Sequence, residues 1–177
     1  MGWRVIAKSH SSESIKERIK NFLRSHPYCH YMRGRYNIPM SYIDSKLDIE
    51  IKNLEGLFSQ ANGDKMIFDT KIASDPEFFS TGIHFILHEF NHWLARQSER
   101  RFYFNDLEEV DCFSHGIAWS LMQGNDIRTI TNQMFPIVAN HFDDKLLARK
   151  FFMRLVDRAT RIAAEYASSE QSKQREI

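Results

Sequence analysis

Two histidines four residues apart, with a glutamate directly after the first, constrain this chain more than any other feature. The segment His88-Glu89-Phe90-Asn91-His92 has the pattern H-E-x-x-H. On a helix, His88 and His92 lie on one face one turn apart, where both imidazoles can bind one ion. Zinc lowers the pKa of a bound water toward neutrality, and Glu89 is placed to accept the proton of that water. The pattern therefore predicts a zinc site with Glu89 as general base.

The surroundings of the motif favour a half-buried helix. Its neighbours are largely apolar, namely Phe85, Ile86, Leu87, Phe90, Trp93 and Leu94. The helix is expected to end near Gln97 and to begin either with Asp75 as cap and Pro76 in the first turn, or near Gly82 with Thr81 as cap. His84 lies one turn before the motif on the same face. Three ligands along one straight helix reach poorly around one ion, so His84 is expected to support a ligand, to line the cleft or simply to be half buried.

Composition limits the class of protein. The chain has 177 residues, of which 42% are hydrophobic, which suits a single domain with a proper core. The net charge of +1 demands neither a nucleic acid nor a membrane as partner. Two distant cysteines, Cys29 and Cys112, make neither a disulfide scaffold nor a C-x-x-C zinc ribbon. Because no segment approaches the roughly 20 apolar residues of a membrane span, we expect a soluble, cytoplasmic protein.

Periodicity and turn residues predict an α+β domain that is predominantly helical, with a short strand or small sheet beside the metal helix. Helices are expected over about 12–25, 43–59, 82–97, 107–123, 126–134 and 143–167, and a strand over 65–72. The stretches 28–42 and 99–106 are expected to be mainly loop. The single domain would span 1–167, and the polar residues 168–177 would form a flexible tail.

A catalytic zinc ion needs a third protein ligand and keeps a fourth position for water. The predicted helix 107–123 contains the candidates Glu108, Asp111 and His115. Their spacing of i, i+3 and i+7 allows all three to share one face, and Asp111 can orient His115 instead of binding the ion. Cys112 is a further candidate. From the residues alone, the third ligand stays open among these side chains.

Two short motifs resemble those of the SprT/Spartan metalloprotease domain. They lie within about residues 40–125 and are His88-Glu89-x-x-His92 and His115-Gly116-x-x-Trp119-x-x-Met122. The resemblance implies a small zincin fold in which His88, His92 and His115 bind zinc. It also implies that Gly116 permits close packing and that Trp119 packs beneath the site. The implied activity is the hydrolysis of peptide bonds in a protein or peptide substrate, including proteins associated with DNA.

A second segment resembles a different family of peptidases. Glu108-Glu109-Val110-Asp111-Cys112-Phe113-Ser114 is similar to the acidic helix of ImmA/IrrE-type peptidases. In that family the third ligand is acidic, which implies Glu108 or Asp111 here and a regulatory protease as the function. A third alternative is a non-catalytic interaction module in which zinc is a structural staple.

Basic residues follow the metal helix and continue along the last one. They are Arg96, Arg100, Arg101, Lys145, Arg149, Lys150, Arg154, Arg158 and Arg161. In a SprT-like protein they would contact DNA phosphates, whereas their own pattern favours a solvated face offset by neighbouring acids. The tyrosines before the second helix, Tyr28, Tyr31, Tyr36 and Tyr42, are expected to pack and anchor the chain, with a place in the substrate cleft as the alternative.

Overall fold

The computed structural model describes residues 12–55, 57–75, 82–98 and 106–175. These residues are mostly helical and contain one three-stranded sheet, which confirms the predicted α+β class. In chain order the elements are α1 (Ser12–Ser25), α2 (Pro27–Arg35), α3 (Met40–Lys46), β1 (Asp48–Lys52), β2 (Ser59–Asn62), β3 (Lys65–Asp69), α4 (Thr70–Ala73), α5 (Ile83–Gln97), α6 (Asp106–Met122), α7 (Ile127–Ala139) and α8 (Lys145–Arg175).

The sheet has the order β1-β3-β2 and places an edge strand beside helix α5. Strand β1 is parallel to β3, and β2 is antiparallel to it. Gly63 has φ 59 in the tight turn between β2 and β3, a conformation that glycine adopts without strain. The central strand β3 lies inside the predicted strand 65–72 and is buried along most of its length. The outer strand β2 contacts α5, where Arg96 donates to the carbonyl of Ala61.

The prediction of a single helix over 43–59 is wrong. The structure has a short helix, α3, followed by strands β1 and β2. The apolar spacing that suggested one helix coincides with a second pattern, since Ile49 and Ile51 alternate with charged residues as in a half-buried strand. Pairing with β3 selects the strand. The predicted loop 28–42 is also largely helical, because Pro27 ends α1 and at the same time occupies the first position of α2.

Helices α5 and α6 pack closely in antiparallel fashion, and this pairing positions the candidate site. His84 near the start of α5 lies against Gly116 late in α6, and His92 lies against Glu108 near the start of α6. A Cβ on Gly116 would be 2.9 Å from Nδ1 and 3.2 Å from Cα of His84. The close packing expected at Gly116 is therefore present. Helix α6 in turn packs along α8 on its other side.

The predicted strand 65–72 ends at Asp69, because Thr70–Ala73 form helix α4. The other differences from the prediction lie at helix ends. Helix α5 begins at Ile83, so Asp75 is not its cap, while Pro76, Thr81 and residues 99–105 lie outside the described residues. Helix α7 continues through the exposed Pro136 to Ala139, and α8 continues to Arg175 instead of ending at Ala167. Among the described helices, none has the length and apolar character needed to cross a membrane.

Candidate metal centre

The predicted pair His88 and His92 meets at its ring nitrogens. The two Nε2 atoms are 3.1 Å apart, and the rings are nearly perpendicular, at 74°. Only 12% of the His88 side chain and 5% of the His92 side chain are exposed. Two imidazole lone pairs at this distance repel each other unless a proton or a cation lies between them. The helix thus brings two nitrogen atoms close enough to share one ion, as its spacing predicts.

Glu109 of α6 completes this group. Its Oε1 lies 3.4 Å from Nε2 of His92, and its Oε2 lies 3.7 Å from Nε2 of His88. Zinc ligands at 2.0–2.2 Å in a tetrahedron are separated from one another by about 3.3 Å. The three observed separations are close to that value, and these three side chains can hold a metal ion. We call His88, His92 and Glu109 the metal triad.

Glu108 supports His92 from the other side of the ring. Its Oε1 is 2.7 Å from Nδ1 of His92, and both side chains are buried. A second group that can hold an ion consists of His92, Glu108 and Cys112. We assign the 2.7 Å contact to a hydrogen bond, because it is shorter than the separation of two ligands on one ion. Glu108 then fixes the ring of His92 with Nε2 directed at the metal triad, as carboxylates behind ligating histidines do.

Protonation of the metal-free triad follows from this geometry. Burial lowers the pKa of His88, and the nearby His92 lowers it further. Burial also acts to lower the pKa of His92, but contacts with Cys112, Glu109 and Glu108 outweigh it and raise that pKa. Without metal, these shifts favour a proton on His92 over one on His88. A metal ion must displace this proton, so metal binding releases it and depends on pH.

Glu89 lies beside the triad and outside it. Its side chain is buried, and its Oε1 accepts a hydrogen bond of 2.7 Å from Ser59 at the start of β2. Burial raises the pKa of Glu89, against the opposing effect of that hydrogen bond. The edge strand thus holds the predicted base in place. The sequence contains no signal that singles out Ser59 for this role.

His115, the third ligand expected from the first resemblance, does not join the triad. It is fully buried, and Arg35 donates from Nη1 to its Nε2 at 2.9 Å. Its Nδ1 is 2.7 Å from the hydroxyl of Tyr28. Because arginine is only a donor, Nδ1 carries the proton and donates it to Tyr28. Both ring nitrogens are already used, and His115 lies seven residues, or about 10 Å, along α6 from Glu108.

Asp111, the other acidic candidate, is a counterion and not part of the triad. Arg158 donates to it from two nitrogens, each at 2.8 Å, and Arg35 is 3.5 Å away. Burial would raise the pKa of Asp111, but the charged groups around it lower that pKa overall. The carboxylate is also 3.4 Å from the amide nitrogen of Asn91, one residue before His92 on α5.

The two residues expected to support the site lie nearer the far ends of the two helices. His84 is half buried, with Nε2 at 3.3 Å from the hydroxyl of Ser120, and it lines a cavity. Trp119 packs against the rings of Phe22, His26 and Tyr28 and not beneath the triad. The reason is the antiparallel pairing, which places Trp119 almost three turns past Glu109 along α6.

The tyrosines Tyr28, Tyr31, Tyr36 and Tyr42 anchor the structure as expected. Their hydroxyls contact His115, Glu165, Asn91 and Gln97 in turn. On α8, Arg158 is engaged by Asp111 and Glu165, whereas the other predicted basic residues of that helix are exposed. Arg100 and Arg101 lie outside the described residues. Contact between these cations and DNA stays a prediction.

Glu109 is the metal-binding candidate that the sequence reasoning missed. Glu109 could have been found from its position in the first turn of α6. Because α6 is antiparallel to the H-E-x-x-H helix, a carboxylate in that turn lies beside His88 and His92. No family model matches the chain, and no curated protein or solved structure was found that is similar to it. The case for a function therefore depends on the geometry of this chain.

Proposed function

We propose that the chain is a zinc metallopeptidase in which His88, His92 and Glu109 hold the ion and Glu89 is the general base. The observation that supports this most is the metal triad, in which the closest nitrogen and oxygen atoms of each pair of side chains are 3.1–3.7 Å apart. Three protein ligands leave one position for a reactant, as in catalytic zinc sites, whereas structural sites are closed by four. A small helix-rich zincin domain is the fold class that fits such a site.

Each side chain near the triad has a definable task in peptide hydrolysis. Zinc, when bound, would polarise the carbonyl of the substrate and make water more acidic. Glu89 accepts a proton from the attacking water at its carboxylate and delivers it to the leaving amine. The hydrogen bond from Ser59 orients the carboxylate of Glu89. The bond to Glu108 keeps Nε2 of His92 turned toward the triad.

The proposed acidic third ligand, Glu109, favours one of the two classes of peptidase that the sequence resembles. Of the two resemblances, the ImmA/IrrE type implies an acidic ligand from the helix that contains Glu108 and Asp111, and the SprT/Spartan type implies His115. The position of Glu109 supports the first, with a register one residue away from Glu108. We therefore propose a regulatory protease acting on a protein substrate, in preference to a protease of DNA-associated proteins.

A paired substitution tests the proposed function. Zinc-loaded wild type is expected to cleave a mixed peptide library, and Glu89→Gln to lose about 10²–10⁴-fold of that activity while binding zinc with unchanged stoichiometry. Glu55→Gln is the matched control, because Glu55 is exposed in the turn after β1. A zinc-binding wild type without hydrolysis, or with activity equal to that of Glu89→Gln, would favour the structural staple instead.

A further inference from the structure

A large cavity begins one helical turn before His88 on α5, toward the start of that helix. It has a volume of about 860 Å³ and lies among α1, α5, α6 and α7. Its walls are mostly apolar and are formed by Phe22, Ile83, Phe85, Trp119, Met134 and Ile137. Packing voids inside domains are small, whereas sites that enclose ligands measure about 300–1,000 Å³. The size of this cavity is that of a binding site.

The cavity is joined to the candidate site through two of its wall residues. His84 and Phe85 lie one helical turn before His88 and Glu89 on α5, which corresponds to about 6 Å. The ring of Phe85 also packs on Phe58, with ring centres 5.3 Å apart. Phe58 directly precedes Ser59, the residue that holds Glu89. Along α5, the near wall of the cavity is therefore about 6 Å from the triad, a distance that about two residues of an extended peptide span.

The chemistry of the lining selects an uncharged ligand. No carboxylate, lysine or arginine is among the described residues that line the cavity. Its polar members are the imidazoles of His26 and His84, the hydroxyl of Ser120 and the amides of Gln123, Asn125 and Gln133. Burial lowers the pKa of both imidazoles, which keeps them neutral. A charged side chain would lose its hydration here without finding a counterion.

The amides lie at the exposed end of the cavity. Gln123, Asn125 and Gln133 are exposed, whereas Ile83 and Met134 in the wall are buried. A carboxamide has both donors and an acceptor, so it can pair with the N–H and C=O groups of a peptide backbone. Apolar walls combined with amides at the mouth suit an extended peptide with large apolar side chains.

We propose that the cavity binds apolar or aromatic side chains of the peptide substrate, on one side of the bond that is cleaved. This assignment rests on the proposed function and adds the substrate class. It makes Ile137, Met134 and Phe85 specificity-determining residues. The expected substrates are proteins with an exposed or locally unfolded apolar segment.

The test fills the cavity from two positions. Ile137→Trp inserts an indole from the wall, and Gln133→Trp does so from the exposed mouth, where folding is least affected. Ile127→Trp is the matched control on the same helix, because Ile127 is 47% exposed and does not line the cavity. The probes are acetyl-Phe-Leu-Phe-amide and acetyl-Asp-Ser-Asp-amide, titrated calorimetrically into metal-free protein. Circular dichroism establishes that each variant is folded.

Wild type and Ile127→Trp are expected to bind the apolar probe and not the acidic one. Ile137→Trp and Gln133→Trp should weaken that binding by at least about 10-fold, a difference of about 1.4 kcal/mol. In a peptide library, wild type should cleave beside large apolar residues, and the two filled variants should lose this preference. Failure of the apolar probe to bind, or unchanged binding and cleavage preference in both filled variants, would overturn the assignment. Binding without cleavage by any of the zinc-loaded proteins would instead overturn the proposed function, and with it the role of the bound peptide as substrate.

Discussion

Helix α6 brings similar residues to two sides of the molecule, and the two sides use them differently. On the metal side, Glu108 and Glu109 face His88 and His92 of α5. On the guanidinium side, Asp111 and His115 face Arg35 of α2 and Arg158 of α8. Both sides combine buried or half-buried carboxylates with imidazoles. The difference is that the guanidinium side already contains two permanent cations, which satisfy its acceptors.

This difference explains why one histidine of α6 is structural while two of α5 are ligand candidates. Each nitrogen of His115 has a protein partner. The Nε2 atoms of His88 and His92 instead face each other at 3.1 Å with a carboxylate beside them. This group can hold a metal ion. The identity of the groups around a histidine is therefore more informative than the number of histidines in a sequence.

The largest effect on stability is expected from Asp111→Ala. The substitution leaves Arg35 and Arg158 without their shared carboxylate in a region where their side chains are only about a quarter exposed, at 26% and 24%. Loss of one partner from such a network costs about 2–4 kcal/mol. Urea denaturation of the metal-free protein measures this cost. Asp157→Ala, at an exposed position on α8, should change stability by less than about 0.5 kcal/mol.

On the metal side, Glu108→Gln should weaken zinc binding without abolishing it. The glutamine keeps the shape of the side chain but removes the charge behind His92, and such support is worth about 10–100-fold in metal affinity. Competition with a chromophoric chelator gives the zinc affinity. Glu165→Gln alters a carboxylate that Tyr31 contacts beyond the guanidinium side and should leave the affinity unchanged. Equal affinities for the two variants would contradict the role given to Glu108.

The guanidinium side should also make stability depend on pH. Burial lowers the pKa of His115 to about 3, whereas an unfolded histidine has a pKa of about 6.5. Between these values the unfolded chain binds a proton that the folded chain does not. The free energy of unfolding is therefore unaffected by this histidine above about pH 6.5 and decreases as the pH falls below that value. The expected loss is about 2 kcal/mol at pH 5. His115→Asn should remove this part of the dependence in denaturation curves of metal-free protein, and identical pH profiles would disprove it.

The smallest expected change in stability comes from substitution of Gly116 at the contact between α5 and α6. Gly116→Ala would insert a methyl group against the backbone of His84 and should destabilise the protein by about 1 kcal/mol, even though alanine favours a helix. Gly34→Ala in α2 has no heavy atom within 4 Å of the new Cβ and should stabilise the protein. Thermal unfolding of both variants checks the pair. A stabilising Gly116→Ala would show that α5 and α6 can separate at no cost.

Local signals were sufficient for part of the fold. Strand β3 follows the Asn62-Gly63-Asp64 turn, and the apolar residues around His88 mark a helix, so both elements were predictable. The segment 43–59 was not, because its apolar residues fit a helix and Ile49 and Ile51 also fit a strand. Only pairing with β3, a contact between distant residues, decides between the two. Propensity cannot reveal such a contact.

Some residues of the candidate site were also predictable from the sequence, and others were not. His88, Glu89 and His92 belong to one helix, so their relation follows from helical spacing. Glu109 and His115 both lie on α6, and which of them reaches α5 depends on the rotation of one helix against the other. That rotation is set by Gly116 and by Arg35 and Arg158, which draw His115 and Asp111 to the opposite side. Gly116 in the His115-Gly116 motif correctly predicts close packing, which occurs against α5. The motif does not reveal that His115 points away from α5.

The most direct measurement of the central claim is zinc binding by wild type, Glu109→Ala and His115→Ala, each confirmed as folded by circular dichroism. Titration against a chromophoric chelator gives stoichiometry and affinity together. Wild type is expected to bind one zinc ion, Glu109→Ala to bind it more than about 100-fold more weakly, and His115→Ala to stay within about 10-fold of wild type. If His115→Ala loses zinc while Glu109→Ala keeps it, the metal triad is wrong and the third ligand is His115.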